Sequence, residues 1–237
     1  MKREISISLA IVFSFFAATV SKARQAPDCA AFKTTGCYFN GAKPGAKAPL
    51  LIYYRGHLSA QNYPTGGLYG GHITGPANIL SSARSALTFY GLKQLALDKG
   101  LVVLVTGSSD ISVLQIEVDD LQSELGYVFP RVSLAAHSGG YVGLSRSIGT
   151  LNRVDDIILL DPFYTDFAAK IRPRILEGAA CSGFYTPHNA KRYKQYFSGL
   201  GCQVEARTGA ADHENWVAPC LEHAFSKDNT PTPAAAP

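Results

Sequence analysis

A serine hydroxyl stands at a tight corner in the stretch SLAAHSGGYVGL, which runs from Ser133 to Leu144. Apolar residues precede Ser138, and its neighbours two positions away are small, Ala136 before it and Gly140 after it. This pattern predicts a buried strand, a sharp turn and then a helix. A serine exposed on such a turn is a candidate nucleophile, and its hydroxyl needs a neighbouring base to attack an acyl carbon at neutral pH.

Short apolar runs alternate with helical patterns along the chain, and they predict the elements that position this serine. Strands are predicted at Leu50–Tyr54, Leu101–Thr106, Val132–Ala136, Ile157–Leu160, near Gly183 and at Gln203–Arg207. Helices are predicted at 78–99, 113–125, just beyond Gly140, at 164–177, at 189–197 and from 214 onward. This alternation favours an α/β fold with a mostly parallel central sheet, covered by helices on both faces. Chemistry in such sheets gathers at the carboxyl ends of the strands, where Ser138 is expected.

Length and composition describe an ordinary globular chain. The 237 residues suit a single domain with a sizeable core. Hydrophobic residues make up 46% of the sequence and charged residues 17%, which is typical of a folded protein and not of a disordered one. The formal net charge is +4, but no basic stripe with interleaved aromatic residues is present. Nucleic acid is therefore not an expected partner.

The first residues have the pattern of a secretory signal peptide. Lys2 and Arg3 precede an apolar run from Ile5 to Val20, and small residues at Ser21 and Ala23 offer a cleavage site. An uncleaved membrane anchor is the alternative, but the run is short against the roughly 20 residues that a span needs. We expect a signal peptide over 1–23, a single folded domain over 24–225 and a disordered tail over 226–237. The protein would be secreted or periplasmic, with no stable membrane span after cleavage.

Export changes how the five cysteines are interpreted. In an oxidising compartment, cysteines are more often bridged than bound to metal, and no CxxC spacing indicates a zinc site. Cys29 and Cys37 lie close together in sequence before the first core strand and are expected to pair. Two of the other three could also form a bridge, and the sequence does not choose between them. Those three are Cys181, Cys202 and Cys220.

The residues A-H-S-G-G at 136–140 resemble the nucleophile elbow of the α/β-hydrolase superfamily, with Ala136 in place of the first glycine of G-x-S-x-G. The layout from Leu50 to Phe225 resembles the same superfamily. The resemblance implies a single-domain α/β-hydrolase fold and a serine hydrolase that needs no metal or organic cofactor. It also implies a small-molecule or lipid-like acyl substrate, and a catalytic acid and histidine that follow the serine in chain order.

His213 stands where this resemblance places the general base. It lies in TGAADHENW, directly after the predicted strand Gln203–Arg207 and before the last helix. An imidazole in this place would take the proton of Ser138 as the hydroxyl attacks. The other histidines suit the role less well, because they lie inside the last helix, after a weak strand, beside the serine, or in a glycine-rich loop. They are His223, His188, His137, His57 and His72.

Asp161 is the predicted acid, because it ends the apolar strand Ile157–Leu160 in the stretch LLDPFY. The superfamily more often carries its acid one strand later, but the later stretch CSGFYTPHN holds no carboxylate. A minority of the superfamily has the acid after the earlier strand. The alternative role for Asp161 is a turn cap before a proline, with Asp166 and Asp110 as reserve candidates. Two further carboxylates begin the same strand and are expected at the opposite edge of the sheet, Asp155 and Asp156.

An oxyanion hole is also implied by the resemblance. The backbone amide of Gly139, directly after the serine, would supply one donor. The stretch RGHLS after strand Leu50–Tyr54 resembles the oxyanion loop, with His57 or Leu58 as the second donor and Gly56 allowing close approach. Arg55, which begins this stretch, could hold a substrate carboxylate or face solvent.

The sequence leaves three functions open. A carboxylic ester hydrolase leads, because the short distances between elements leave little room for a large cap domain. A peptidase or amidase could use the same Ser138, Asp161 and His213. A non-catalytic binding protein could keep the fold, although a serine, an acid and a histidine in the expected order argue against it.

Overall fold

The computed structural model describes residues 29–33, 35–56, 75–207 and 216–226. Within them, eight strands form one sheet: β1 (Ala30–Phe32), β2 (Gly36–Asn40), β3 (Leu50–Tyr54), β4 (Val102–Thr106), β5 (Val132–His137), β6 (Asp156–Leu160), β7 (Ala180–Tyr185) and β8 (Gln203–Ala206). Their spatial order is β1-β2-β4-β3-β5-β6-β7-β8. The pairs β1–β2 and β2–β4 are antiparallel, and the remaining pairs are parallel.

Helices cover both faces of this sheet. They are α1 (Pro76–Phe89), α2 (Leu92–Lys99), α3 (Gln115–Leu125), α4 (Tyr141–Ser147), α5 (Thr165–Leu176), the short α6 (Ala190–Arg192) and α7 (Val217–Ser226). The strand order, with an antiparallel start and parallel pairing from β4 onward, is that of the α/β-hydrolase fold. The predicted fold class is therefore confirmed.

The sheet separates two hydrophobic cores, because successive side chains of a strand point to opposite faces. Leu50, Ile52 and Tyr54 of β3 pack into one core with residues of α3, α4 and α5. Leu51 and Tyr53 pack into the other core with residues of α1, α2 and α7. All five side chains are fully buried. This double burial is why the central strands read as continuous apolar runs in the sequence.

Three local features differ from the sequence-based expectation. The single helix predicted over 78–99 is two helices, because the chain turns at Gly91, whose φ is 65°. The segment expected as a helix at 189–197 changes geometry along its length and is π-helical over Tyr193–Phe197. The hairpin of β1 and β2 was not predicted, because these strands are short and mix polar with apolar residues.

Two disulfides join neighbouring strands at the two sides of the sheet. Cys29 is bonded to Cys37 across the β1–β2 hairpin, as predicted. Cys181 in β7 is bonded to Cys202, the residue before β8, which resolves the pairing that the sequence left open. Cys220 in α7 is the free cysteine of the described residues, and burial raises the pKa of its thiol to about 12.

The predicted signal peptide and most of the predicted tail lie outside the described residues, although Ser226, placed first in that tail, is the last residue of α7. None of the helices in the described ranges is long and apolar enough to cross a membrane. Those ranges also contain no cluster of three or more His, Cys, Asp or Glu side chains suited to a metal ion.

The Cys181–Cys202 bridge should stabilise the fold more than the Cys29–Cys37 bridge. The two bridges have sequence separations of 21 and 8 residues, and a longer closed loop loses more conformational freedom in the unfolded chain. Replacing Cys181 and Cys202 with alanine should lower the free energy of unfolding by about 3 kcal/mol in urea titrations. The corresponding Cys29 and Cys37 variant should lose roughly 1 kcal/mol less.

Cys220→Ala is the control for this comparison, because it removes a thiol without opening a bridge. Peptide mapping under non-reducing conditions that linked Cys220 to another cysteine would contradict the assigned pairing.

Candidate active site

The chain turns sharply where β5 ends at His137. Ser138 has a φ of 47° and begins a single 3-10 turn, Ser138–Gly140, that leads directly into α4. Three described residues other than glycine have a positive φ, and Ser138 and Asp161 are two of them, the third being Lys33. Positive φ in a non-glycine residue is uncommon and is held in place only by the surrounding structure. The strand, turn and helix predicted around Ser138 are confirmed.

The turn at Ser138 packs closely against the end of β3, and this contact requires glycine at two positions, 140 and 56. A Cβ atom on Gly140 would lie 2.1 Å from the carbonyl oxygen of Tyr54, so no side chain fits there. A Cβ atom on Gly56 would lie 2.8 Å from the carbonyl oxygen of His137 and 2.9 Å from the Cβ of Ser138. The chain that leaves β3 therefore presses directly against the turn that holds the serine.

Asp161 lies beside Ser138 because β5 and β6 are paired in register. His137 is opposite Leu160 in this pair, so the next residues along, Ser138 and Asp161, leave the sheet at the same level. Neighbouring strands are about 4.8 Å apart. Asp161 has a φ of 62° and is buried. The structure thus brings together two of the three residues that the sequence predicted for a catalytic triad.

Thr186, just beyond β7, binds both carboxylate oxygens of Asp161. Its backbone N–H donates to Oδ1 at 2.9 Å, and its hydroxyl donates to Oδ2 at 2.8 Å. Asn189 donates from Nδ2 to the backbone carbonyl of Asp161 at 3.4 Å. An ionised carboxylate accepts about four hydrogen bonds, so Asp161 retains capacity for another donor.

Sequence reasoning missed Thr186 and Asn189. The signal that singled out Ser138 and Asp161, a polar residue just past an apolar strand, also applies to Thr186. The stretch CSGFYTPHN offers no carboxylate and therefore no candidate acid, and a hydroxyl that supports an acid on the adjacent strand leaves no separate signal in the sequence.

The other carboxylates lie elsewhere. Asp155 and Asp156 are at the amino end of β6, where Asp156 pairs with Arg131 and Asp155 pairs with Arg153. This agrees with the expectation that they sit at the opposite edge of the sheet. The two reserve candidates lie in other elements of the fold. Asp166 is exposed in the first turn of α5, and Asp110 follows β4 and accepts a hydrogen bond from the Ser108 hydroxyl.

Arg55 is buried beneath this edge and does not take either role considered for it. Its Nε donates to the carbonyl of Gly107 at 2.8 Å, and its Nη1 donates to the carbonyl of Gly56 at 3.0 Å. Arg55 as a whole is 1% exposed, so its guanidinium neither faces solvent nor presents a surface to a substrate carboxylate. It instead fixes the chain that leaves β3.

Of the residues proposed for the oxyanion hole, Gly139 is buried in the turn after Ser138. His57 and Leu58 lie outside the described residues. Gly56, directly before them, is in place against the Ser138 turn.

His213 also lies outside the described residues, but the residues that flank its segment are described. β8 runs parallel to β7, and Arg207 just beyond it donates its N–H to the carbonyl of Tyr185 at 2.9 Å. The guanidinium of Arg207 lies over the ring of Trp216, 5.0 Å from its centroid. The two described residues that flank this segment, Arg207 and Trp216, therefore lie together near the end of β7.

The described alternatives to His213 lie in other environments. His137 is fully buried and packs edge-on against Tyr90 of the α1–α2 side, with ring centroids 5.1 Å apart. His188 is exposed in the turn after β7. His223 is on α7, where its Nε2 is 3.6 Å from Glu205. His57 and His72 lie outside the described residues.

Aromatic rings border the two strand ends. The ring of Tyr141, three residues after Ser138, stacks on that of Tyr164, three residues after Asp161, with centroids 4.2 Å apart. The guanidinium of Arg192 lies 5.4 Å from the centroid of Tyr164 and donates to Asn189 at 3.3 Å. Both tyrosines are half-buried. This stack links the starts of α4 and α5 beside the candidate site.

No protein-family model matches the sequence, and no curated protein matches it either. Among solved structures, an uncharacterized protein from Bacillus cereus is similar over 76% of this chain and 60% of its own, with 13% identity and a TM-score of 0.43. An acylaminoacyl peptidase from Pyrococcus horikoshii is similar over 80% of this chain and 37% of its own, with 11% identity and a TM-score of 0.41.

An esterase from Pyrococcus furiosus is similar over 80% of this chain and 82% of its own, with 13% identity and a TM-score of 0.40. The chain thus spans less than two thirds of the length of the first two structures. Likenesses this distant carry no argument about activity, and the fold assignment rests on the strand order of the chain itself.

Replacing Gly140 with alanine should destabilise the protein, because the new Cβ would lie 2.1 Å from a backbone oxygen that cannot rotate away. We expect the free energy of unfolding to fall by about 2 kcal/mol or more in urea titrations. Gly149→Ala is the matched control, because a Cβ there meets no atom within 4 Å. Equal stability of the two variants would contradict the close approach of β3 to the Ser138 turn.

Proposed function

We propose that this protein is a serine hydrolase that cleaves carboxylic esters through Ser138, His213 and Asp161. The observation that carries the proposal is the pairing of Ser138 with Asp161 at the ends of adjacent parallel strands, both at positive φ. Backbone strain of this kind clusters at functional sites. A turn residue without a function would not need a hydroxyl held in this conformation beside a buried carboxylate.

In the proposed reaction, Oγ of Ser138 attacks the ester carbonyl carbon as the imidazole of His213 takes its proton. The tetrahedral intermediate carries its negative charge on the former carbonyl oxygen, where the Gly139 N–H and the loop after Gly56 donate. Collapse expels the alcohol, which receives the proton from the imidazolium, and leaves an acyl group on Ser138. Water then repeats the sequence and releases the acid. Asp161 orients the imidazole and balances its positive charge.

The preference for an ester with an accessible acyl group is supported by the short connections at the site. Between β6 and α5, four residues connect the elements, which leaves no room for a cap domain at that point. The half-buried rings of Tyr141 and Tyr164 offer an apolar border for a small or lipid-like acyl group. The peptidase alternative loses one argument, because Arg55 is engaged by backbone carbonyls and is not available for a substrate carboxylate.

Export is part of the same proposal. Two disulfides among the described residues are compatible with an oxidising compartment, and the sequence over 1–23 has the pattern of a signal peptide. We therefore propose that the enzyme acts outside the cytoplasm, as a secreted or periplasmic protein.

A fluorophosphonate probe should label Ser138 in the folded protein, because the probe reacts with serine hydroxyls that a neighbouring base activates. Peptide mass spectrometry should locate the adduct on Ser138. Labelling should disappear in Ser138→Ala and in urea-unfolded protein. A folded sample that takes up no label would overturn the enzymatic proposal and favour a non-catalytic binding protein.

Replacing Asp161 with asparagine should lower turnover of a nitrophenyl ester by about 10⁴-fold, the scale seen when a triad aspartate loses its charge. An asparagine can still accept from the Thr186 N–H with its oxygen and donate to the Thr186 hydroxyl with its nitrogen, so the fold should be kept. Asp166→Asn is the control, because Asp166 is exposed in the first turn of α5, and the turnover of this variant should change by less than about twofold.

A collapse of turnover in Asp110→Asn or Asp166→Asn, with Asp161→Asn near normal, would move the acid elsewhere. Equal and mild losses in all three variants would indicate a serine–histidine dyad.

A further inference from the structure

The geometry points to Thr186 as the positioning residue of the catalytic acid: its hydroxyl and N–H together hold the carboxylate of Asp161 in one orientation. This inference rests on the proposed function, since it gives Thr186 a role only if Asp161 acts on a histidine.

The backbone of Asp161 is in the left-handed region, with a φ of 62°. A non-glycine residue keeps this conformation only when contacts with other residues fix it. Its N–H is bonded to the carbonyl of Phe184 at 3.1 Å, which fixes the main chain at the edge of β7. Among the described residues, Thr186 is the one that donates hydrogen bonds to the carboxylate of Asp161. Because one residue donates to both oxygens, the plane of the carboxylate is set as well as its position.

Thr186 is itself well held. It is buried, its φ of −88° and ψ of 162° are extended, and Pro187 follows it. Its carbonyl accepts the N–H of Asn189 at 2.9 Å, which closes the turn after β7. A β-branched side chain also has few χ1 rotamers. The hydroxyl is therefore pre-organised toward Asp161 and loses little freedom in making the bond.

The arrangement leaves the carboxylate ready for a second partner. Two of about four acceptor positions are used by Thr186, and no other residue that the structure describes donates to this carboxylate. The chain that carries His213 leaves β8 at Arg207, which is bonded to Tyr185, the residue before Thr186. The superfamily more often carries its acid after the strand that corresponds to β7. In this chain the residue after β7 is Thr186, and its hydroxyl holds Asp161, which follows the adjacent strand β6.

Thr186→Val is the direct test, because valine keeps the shape, the β-branching and the backbone N–H and removes the hydroxyl alone. A hydrogen bond to a charged group is lost, so kcat for a nitrophenyl ester should fall about 10- to 100-fold with little change in KM. Thr186→Ser restores the hydroxyl and should return kcat to within about threefold of the parent protein.

Thr106→Val is the matched control. Thr106 is also buried, at the carboxyl end of β4, and its hydroxyl has no hydrogen-bond partner among the described residues. This variant should keep its kcat. Urea titrations of all variants show whether any loss of rate reflects unfolding.

A double-mutant cycle separates positioning from a general structural effect. The rate of fluorophosphonate labelling at Ser138 is measured in the parent, Thr186→Val, Asp161→Asn and the double variant. If Thr186 acts through the carboxylate, the valine substitution slows labelling in the parent and has almost no further effect once Asp161 is asparagine.

An equal loss of labelling rate from Thr186→Val in both backgrounds would overturn the inference. Full activity of Thr186→Val would overturn it as well, and if Ser138→Ala were inactive in the same assay, the proposed function would still hold. A parent protein that is neither labelled nor hydrolytic would overturn the proposed function itself, and with it the role of Thr186.

Discussion

The in-register pairing of β5 with the strands on its two sides is the constraint on which the candidate site depends. Tyr54 of β3 is opposite Ala136, and Leu160 of β6 is opposite His137. A shift by one residue in either pair would turn every side chain of a strand to the other face. The fully buried strands forbid such a shift, because their side chains fill two different cores. Gly56, Ser138 and Asp161 are therefore aligned by the packing of the sheet.

Backbone strain at this edge is supported by the same packing. Ser138 and Asp161 adopt a conformation that costs of the order of 1–3 kcal/mol in a non-glycine residue. Each lies directly after a strand that is buried throughout. Gly140 lets the turn approach the carbonyl of Tyr54, and the hydrogen bond from the Asp161 N–H to Phe184 ties the second strained residue to β7. The strain is thus localised at the ends of two fully buried strands.

The edge strand β8 depends on covalent and electrostatic support more than on burial. It has four residues, none of them buried, and it pairs only with β7 within the described sheet. The Cys181–Cys202 bond holds its beginning, and Arg207 at its end bonds to Tyr185 and lies over Trp216. This weakly packed edge strand is thus fixed to its neighbours at both ends.

The sequence by itself determined the fold class, the main strands and the corner at Ser138, because doubly buried strands leave uninterrupted apolar runs and a tight turn needs small residues beside it. It also identified Asp161 as a strand-end residue and Cys29 with Cys37 as a local pair. Only the tertiary structure decided what lies far apart in sequence but side by side in space. Thr186 reaches Asp161 across 25 positions, Arg55 turns inward to Gly107, and Cys181 pairs with Cys202. These contacts depend on strand order and register, which arise from packing between elements and leave no periodic signal in any one of them.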